Sequence, residues 1–165
     1  MKKVTLISGS TMGSAEYVAE HLEEILSKEG FETDLHHGPS LNDLPQEGIW
    51  LVITSTHGAG EIPDNLQPFA DEISADGIDL SKVSFGAVGI GSSEYDTFCG
   101  AIRTLDQKLI EKGAVRLGDR LEIDIQEHDI PEDPAEEWLT TWKNLLLIEQ
   151  KNSSQMWITM LKSRG

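Results

Sequence analysis

The stretch Ser8 to Glu16, SGSTMGSAE, sets the hydroxyls of Ser10, Thr11 and Ser14 around Met12 and Gly13, between an apolar run and an amphipathic one. Backbone N–H groups at a helix start attract an anion through their unpaired hydrogens and the helix dipole, and nearby hydroxyls add donors. No Lys or Arg lies in this loop. A Walker loop needs GxxxxGK followed by Ser or Thr, and a dinucleotide loop needs GxGxxG with a later ribose-binding acid. Neither pattern is present. A triphosphate would therefore be poorly served, whereas one terminal phosphate wrapped by neutral donors is feasible. Taken alone, the loop reads equally well as an ordinary Ser/Gly turn.

Two further loops carry chemistry. In STHGAGEIPDN, residues 55–65, Gly58 and Gly60 flank a sharp turn, and Gly58 lets a peptide unit take either of two orientations at little cost. Thr56 there can donate to a phosphate or polyol oxygen. In GIGSSEYDTFCGA, residues 89–101, Tyr95 is either a plate for a planar ligand or a lid over the core. Cys99 reads as a small buried apolar residue at a helix start. His36 and His37, with Asp34 nearby, match no zinc spacing and read as solvent-exposed histidines past a strand.

Short, continuous apolar runs at Val4–Ser8, Ile49–Thr54 and Phe85–Ile90 position these loops, and such runs suit parallel strands buried on both faces. A weaker strand is expected over Glu32–His36, and a fifth within Val115–Ile125, interrupted by GDR. Between them lie helical patterns. Ala15, Val18, Ala19, Leu22, Ile25 and Leu26 recur at steps of three and four, and Gly30 supplies a stop. Phe98–Lys112 repeats the design with Ala101, Ile102, Leu105, Leu109 and Ile110 inward. Leu66–Ile73 predicts a short helix. A last helix starts at EDPAEEW, with Asp133 as cap and Pro134 at the first helical position, and turns Trp138, Trp142 and Leu145 or Leu146 inward.

This alternation predicts a doubly wound α/β fold: a five-stranded parallel sheet in the order 2-1-3-4-5 with helices on both faces. Ligands in such folds bind beyond the C-terminal strand ends, where the winding reverses. All three loops converge there.

The chain of 165 residues carries 29 acidic and 13 basic residues. Such a surface repels nucleic acids and anionic membranes, whose binding rests on Lys and Arg. One cysteine makes no internal disulfide, VTLIS is too short for a signal-peptide core, and no segment reaches bilayer length. The expected compartment is the cytoplasm. Residues 1–149 read as one domain. Residues 150–165, with three basic residues and no acidic one, read as an appendage that is flexible or forms a short amphipathic helix.

The motifs GSTMGSA, STHGAGEIPDN and GIGSSEYDTFCGA together resemble the flavodoxin family, in particular the FMN domains of the sulfite reductase and cytochrome P450 reductase type. The resemblance spans roughly residues 4–147. It implies FMN, with its phosphate in the cradle of Ser10, Thr11, Met12, Gly13 and Ser14. Thr56, His57, Gly58, Ala59 and Gly60 would line one side of the ring. Tyr95 would stack on the other, its loop built by Gly91, Ser92, Phe98 and Cys99. Where many relatives read GDSSY, this chain has GSSEY, with Ser92 in place of Asp and Glu94 beside Tyr95; His57 stands where relatives often carry a larger aromatic.

The implied function is a one-electron carrier with no substrate of its own, a monomer or weak homodimer. The implied partners are an NADPH-dependent flavodoxin reductase as donor and biotin synthase as acceptor. Two rivals share the fold. An FMN-dependent NAD(P)H:quinone reductase needs a nicotinamide pocket, for which the compact loops show no insertion. A cofactor-free receiver-like binding module needs acidic residues where this chain has Ser8, Gly9, Thr54, Ser55 and Thr56.

Overall fold

A computed structural model of the chain describes residues 2–56, 60–94 and 98–147. In chain order the elements are β1 (Lys3–Gly9), α1 (Ser14–Lys28), β2 (Glu32–His37), β3 (Gly48–Ser55), α2 (Gln67–Ile73), β4 (Val83–Gly91), α3 (Gly100–Glu111), β5 (Val115–Arg116) and β6 (Leu121–Asp124). A final helix, α4, covers residues 132–147. All strand pairs are parallel, in the order β2-β1-β3-β4-β5, and β6 also pairs with β4. The expected fifth strand is therefore two segments sharing one sheet position. Ser84 sits opposite Val115 and Val88 opposite Leu121, and residues 117–120 leave the ladder between them.

Burial on both faces explains why the central strands are apolar without alternation. Leu6, Leu51, Ile53, Val88 and Ile90 face α1 and α4, where they meet Val18, Leu22, Leu26, Leu139, Trp142 and Leu146. Ile7, Trp50, Val52, Phe85 and Ala87 face α2 and α3 through Phe69, Ile73, Ile102, Leu105 and Leu109. Each large apolar side chain buried in this way contributes about 1.5–3 kcal/mol. Helix α4 lies directly on the sheet backbone: a Cβ on Gly86 would come within 2.6 Å of the Trp142 indole. Trp138 stacks on Trp142 with ring centroids 5.5 Å apart, and Leu146, not Leu145, completes the inward stripe.

Several boundaries differ from the sequence expectation. Helix α3 starts at Gly100, because Cys99 at its N-terminal boundary adopts the left-handed conformation (φ 53°). Ile110 lies on the solvent side of α3, 49 % exposed. Helix α4 begins before Asp133, so Pro134 falls inside the first turn, where a missing N–H costs no helical bond. His36 is half-buried and pairs with Asp34 at 2.9 Å, whereas His37 is exposed. Among the described residues no His, Cys, Asp and Glu group could hold a metal, and no helix is long and apolar enough to cross a membrane. The expected appendage at 150–165 lies outside the described residues.

Strands β1, β3, β4 and β6 all end at one edge, at Gly9, Ser55, Gly91 and Asp124. The crossover through α1 leads outward to β2, while the chain re-enters at β3 on the other side of β1. The crevice between β1 and β3 is the reversal point.

Candidate functional site

The first loop is shaped by one glycine. Gly13 precedes α1 with φ 85° and ψ 0°, a left-handed conformation that L side chains rarely adopt, and it offers no side-chain cap to the helix. The first-turn amides of α1 thus open toward the loop. Ala15 N–H reaches Ser10 Oγ at 3.4 Å, and Tyr17 N–H bonds the Gly13 carbonyl at 3.1 Å. Thr11 and Met12 are exposed, Gly13 and Ser14 half-buried, and Ser10 buried. The Ser10 hydroxyl donates to Glu16 Oε2, and Asn65 Nδ2 donates to Glu16 Oε1 at 3.1 Å. Below the loop, Thr54 Oγ1 donates to the Gly9 carbonyl at 3.1 Å. The Gly9 Cα lies against Leu66, where a Cβ would come within 2.6 Å of the Leu66 Cβ.

The second and third loops are joined through backbone contacts. Thr56 N–H donates to Ile90 O at 3.0 Å, and Thr56 Oγ1 accepts from Ala101 N–H at 3.2 Å, which fixes the start of α3 beside the end of β3. A Cβ on Gly100 would meet Gly60 Cα at 3.1 Å, and one on Gly91 would meet the Cys99 nitrogen at 2.9 Å. Glycine is required at 91, where a Cβ would collide with backbone, and at 100 it keeps a tight approach of backbone to backbone. Cys99 is fully buried; burial, with the Glu122 charge second, pushes its thiol up to about 12. Its expected role as a small apolar residue follows from that. Phe98 packs against the core next to it, with the Arg103 guanidinium 5.9 Å from its ring centroid. His57, Gly58, Ala59 and Tyr95 lie outside the described residues.

Asp124, at the end of β6, organises the rest of the third loop. Its Oδ1 accepts from Ser93 N–H and from Gln126 N–H, both at 3.0 Å. Bonds from Ser93 and then Gln126 hold its carboxyl below the ordinary range. Ser92 Oγ accepts from Gln126 Nε2 at 3.0 Å and from Glu94 N–H at 3.3 Å. Asp124 and Gln126 thus brace the third loop through Ser92 and Ser93. Sequence reading missed both, because they contact the third loop from about thirty residues away, and it gave no role to Glu16 and Asn65, whose types alone do not show the bonds they make.

With this geometry, three comparisons agree. A family model for flavodoxins matches residues 6–138. The chain belongs to the flavodoxin family. Protein MioC of Escherichia coli strain K12 is 63% identical over 146 residues, covering 88% of this chain and 99% of that protein. Flavodoxin YqcA of the same strain is 33% identical over 148 residues, covering 88% and 99%. A solved cysteine-to-serine mutant of flavodoxin from Pseudomonas aeruginosa superposes with a TM-score of 0.80 at 37% identity, covering 87% of this chain and 98% of that one.

This flavodoxin is accordingly an electron-transfer flavoprotein that works with redox partners, not an enzyme with a substrate of its own, and its cofactor is FMN. The residues present fit that cofactor. A left-handed Gly13 leaves the helix-start amides without a side-chain cap, which suits a small anion, and close glycine contacts hold the three loops at a single crevice.

Proposed function

We propose that this flavodoxin holds FMN across the reversal point and carries single electrons in the cytoplasm from an NADPH-dependent flavodoxin reductase to an acceptor enzyme, biotin synthase. The observation carrying the reading is the cradle: helix-start amides behind a left-handed Gly13, next to the buried Ser10, with neutral donors throughout. The donor and the acceptor are those the motif resemblance implies, and the similarity to protein MioC extends over most of both chains.

When bound, FMN supplies one-electron redox chemistry at the ring. The protein's part is to bind and orient it. Ser10, Thr11, Met12, Gly13 and Ser14 receive the phosphate. Thr56, His57, Gly58, Ala59 and Gly60 line one side of the ring, and Gly91, Ser92, Tyr95, Phe98 and Cys99 form the other. The raised Cys99 thiol stays protonated at physiological pH and transfers no proton. Exposed Glu61, Asp64 and Glu94 edge the crevice and favour docking of a basic partner. Residues 1–149 form the FMN domain, and residues 150–165 are dispensable for it.

An absorption spectrum of the purified protein with added FMN, followed through anaerobic reduction, tests cofactor and electron capacity together. The expected result is a perturbed flavin spectrum, reduction by NADPH only when a flavodoxin reductase is added, and support of biotin synthase turnover. NADPH oxidation by the purified protein alone would instead make it a reductase.

A further inference from the structure

The contact that sets this cradle apart is internal. Glu16 lies in the first turn of α1, where the helix dipole favours an anion. Its Oε2 takes the hydroxyl proton of Ser10, and its Oε1 takes a proton from Asn65 Nδ2 at 3.1 Å. A serine hydroxyl has one proton to give. With that proton on Glu16, Ser10 presents only lone pairs to a phosphate oxygen, which is itself an acceptor. The same carboxylate adds a fixed negative charge at the helix end that must attract the phosphate.

We propose that Glu16 is a positioning residue that limits affinity for the FMN phosphate, by holding the Ser10 hydroxyl proton away from it. The inference rests on the FMN reading above. It gives the chain a restraint built from one carboxylate: the amides of the cradle bind, while the nearest buried hydroxyl is withheld. Glu16→Gln separates the two tasks of the side chain. The new amide oxygen still accepts from Asn65, and the amide nitrogen donates to Ser10 Oγ, which frees the hydroxyl proton to turn toward the phosphate.

The experiment is a fluorescence titration of wild type and Glu16→Gln with FMN and with riboflavin, which lacks the phosphate. The inference predicts that Glu16→Gln binds FMN about tenfold more tightly, because a hydroxyl donor to a charged acceptor is gained. Riboflavin affinity should stay within about twofold, since no hydrogen bond to the ring system changes. In a Ser10→Ala background, the gain from Glu16→Gln should fall well below the gain in wild type, to what removal of the charge alone supplies, because no hydroxyl remains to be released. Unchanged or weaker FMN binding by Glu16→Gln overturns the inference alone. A gain that persists undiminished in the Ser10→Ala background assigns the effect to charge and overturns the route through Ser10. Equal gains for FMN and riboflavin overturn it too, as a general change in the site. Failure of wild type and variant alike to bind FMN would overturn the FMN reading and the inference with it.

Discussion

The cradle before α1 and the bracket that ties α3 to β6 use charge in opposite ways. In the bracket, Asp106 is 2 % exposed and one of its oxygens accepts from Arg116 Nη1 at 2.5 Å and Arg120 Nη1 at 2.6 Å. Arg120 continues to Glu122 at 3.0 Å, and Arg103 grips Glu122 through two bonds of 2.7 Å. The break in the fifth strand at 117–120 is what lets Arg116 and Arg120 meet over Asp106. The cradle, by contrast, has amides, hydroxyls and a carboxylate. Opposite charges are paired where the partners are permanent, whereas the cradle pairs its carboxylate only with neutral donors and sets no cation where an anion must come from outside.

The bracket carries the largest expected effect. Asp106→Asn leaves two guanidinium groups facing a neutral amide. Removing one partner of a buried pair costs about 3–5 kcal/mol, but both arginines are about a third exposed, so a loss of about 2–3 kcal/mol in urea unfolding is expected. FMN affinity, measured well below the unfolding temperature, should not follow it. A matching loss of FMN binding would show that the bracket and the cradle are not separate.

Gly13→Ala attacks the cradle instead. The space for a methyl is there, with only Tyr17 Cε2 at 3.7 Å, but φ is left-handed. Loss of about 1–2 kcal/mol of stability is expected, together with weaker binding of FMN than of riboflavin relative to wild type, both read by titration. Equal weakening of the two ligands would place Gly13 away from the phosphate.

Acid should loosen the bracket before the sheet. Bonding by Arg103 first, and also by Arg120, holds the Glu122 carboxyl below its ordinary 4.5 in the folded chain. A depressed folded value means that its stabilisation is fully present above that ordinary value and is lost as pH falls through the folded one. Urea midpoints measured from about pH 6 downward should fall less steeply for Glu122→Gln than for wild type. Identical slopes would remove Glu122 from the acid response.

The smallest effect concerns Glu94, exposed at the crevice edge. On the reading that its neighbour Tyr95 covers the ring, Glu94→Gln should raise the lower FMN reduction potential by about 20–70 mV after solvent screening. Spectroelectrochemistry of the two proteins would show it.

The sheet was legible because its three central strands are buried on both faces, which leaves runs such as IWLVIT with no other good reading. The interruption at GDR was legible as well, although only the structure shows that it serves Asp106. Ile110 was misplaced because an apolar residue at helical spacing reads as inward even where the helix has turned to solvent. The start of α3 was misread because the left-handed Cys99 carries no signal in its residue type. At the site, Gly13 and the hydroxyls could be read from local turn chemistry. Asn65, Asp124 and Gln126 could not, since their contacts to Glu16, Ser93 and Ser92 join residues that only the sheet topology brings together; Glu16 could not because a first-turn acid reads as solvated helix surface until its contact with Ser10 is seen.

The central claim is that neutral donors at the start of α1 recognise a single phosphate. It is tested most directly by comparing FMN and riboflavin affinities of the wild-type protein from low salt to about 0.5 M. The account predicts that FMN binds at least about tenfold more tightly and that most of this advantage survives the added salt, because hydrogen bonds from partly buried amides are screened far less than exposed ion pairs. Equal affinities, or an advantage that disappears as salt rises, would contradict it.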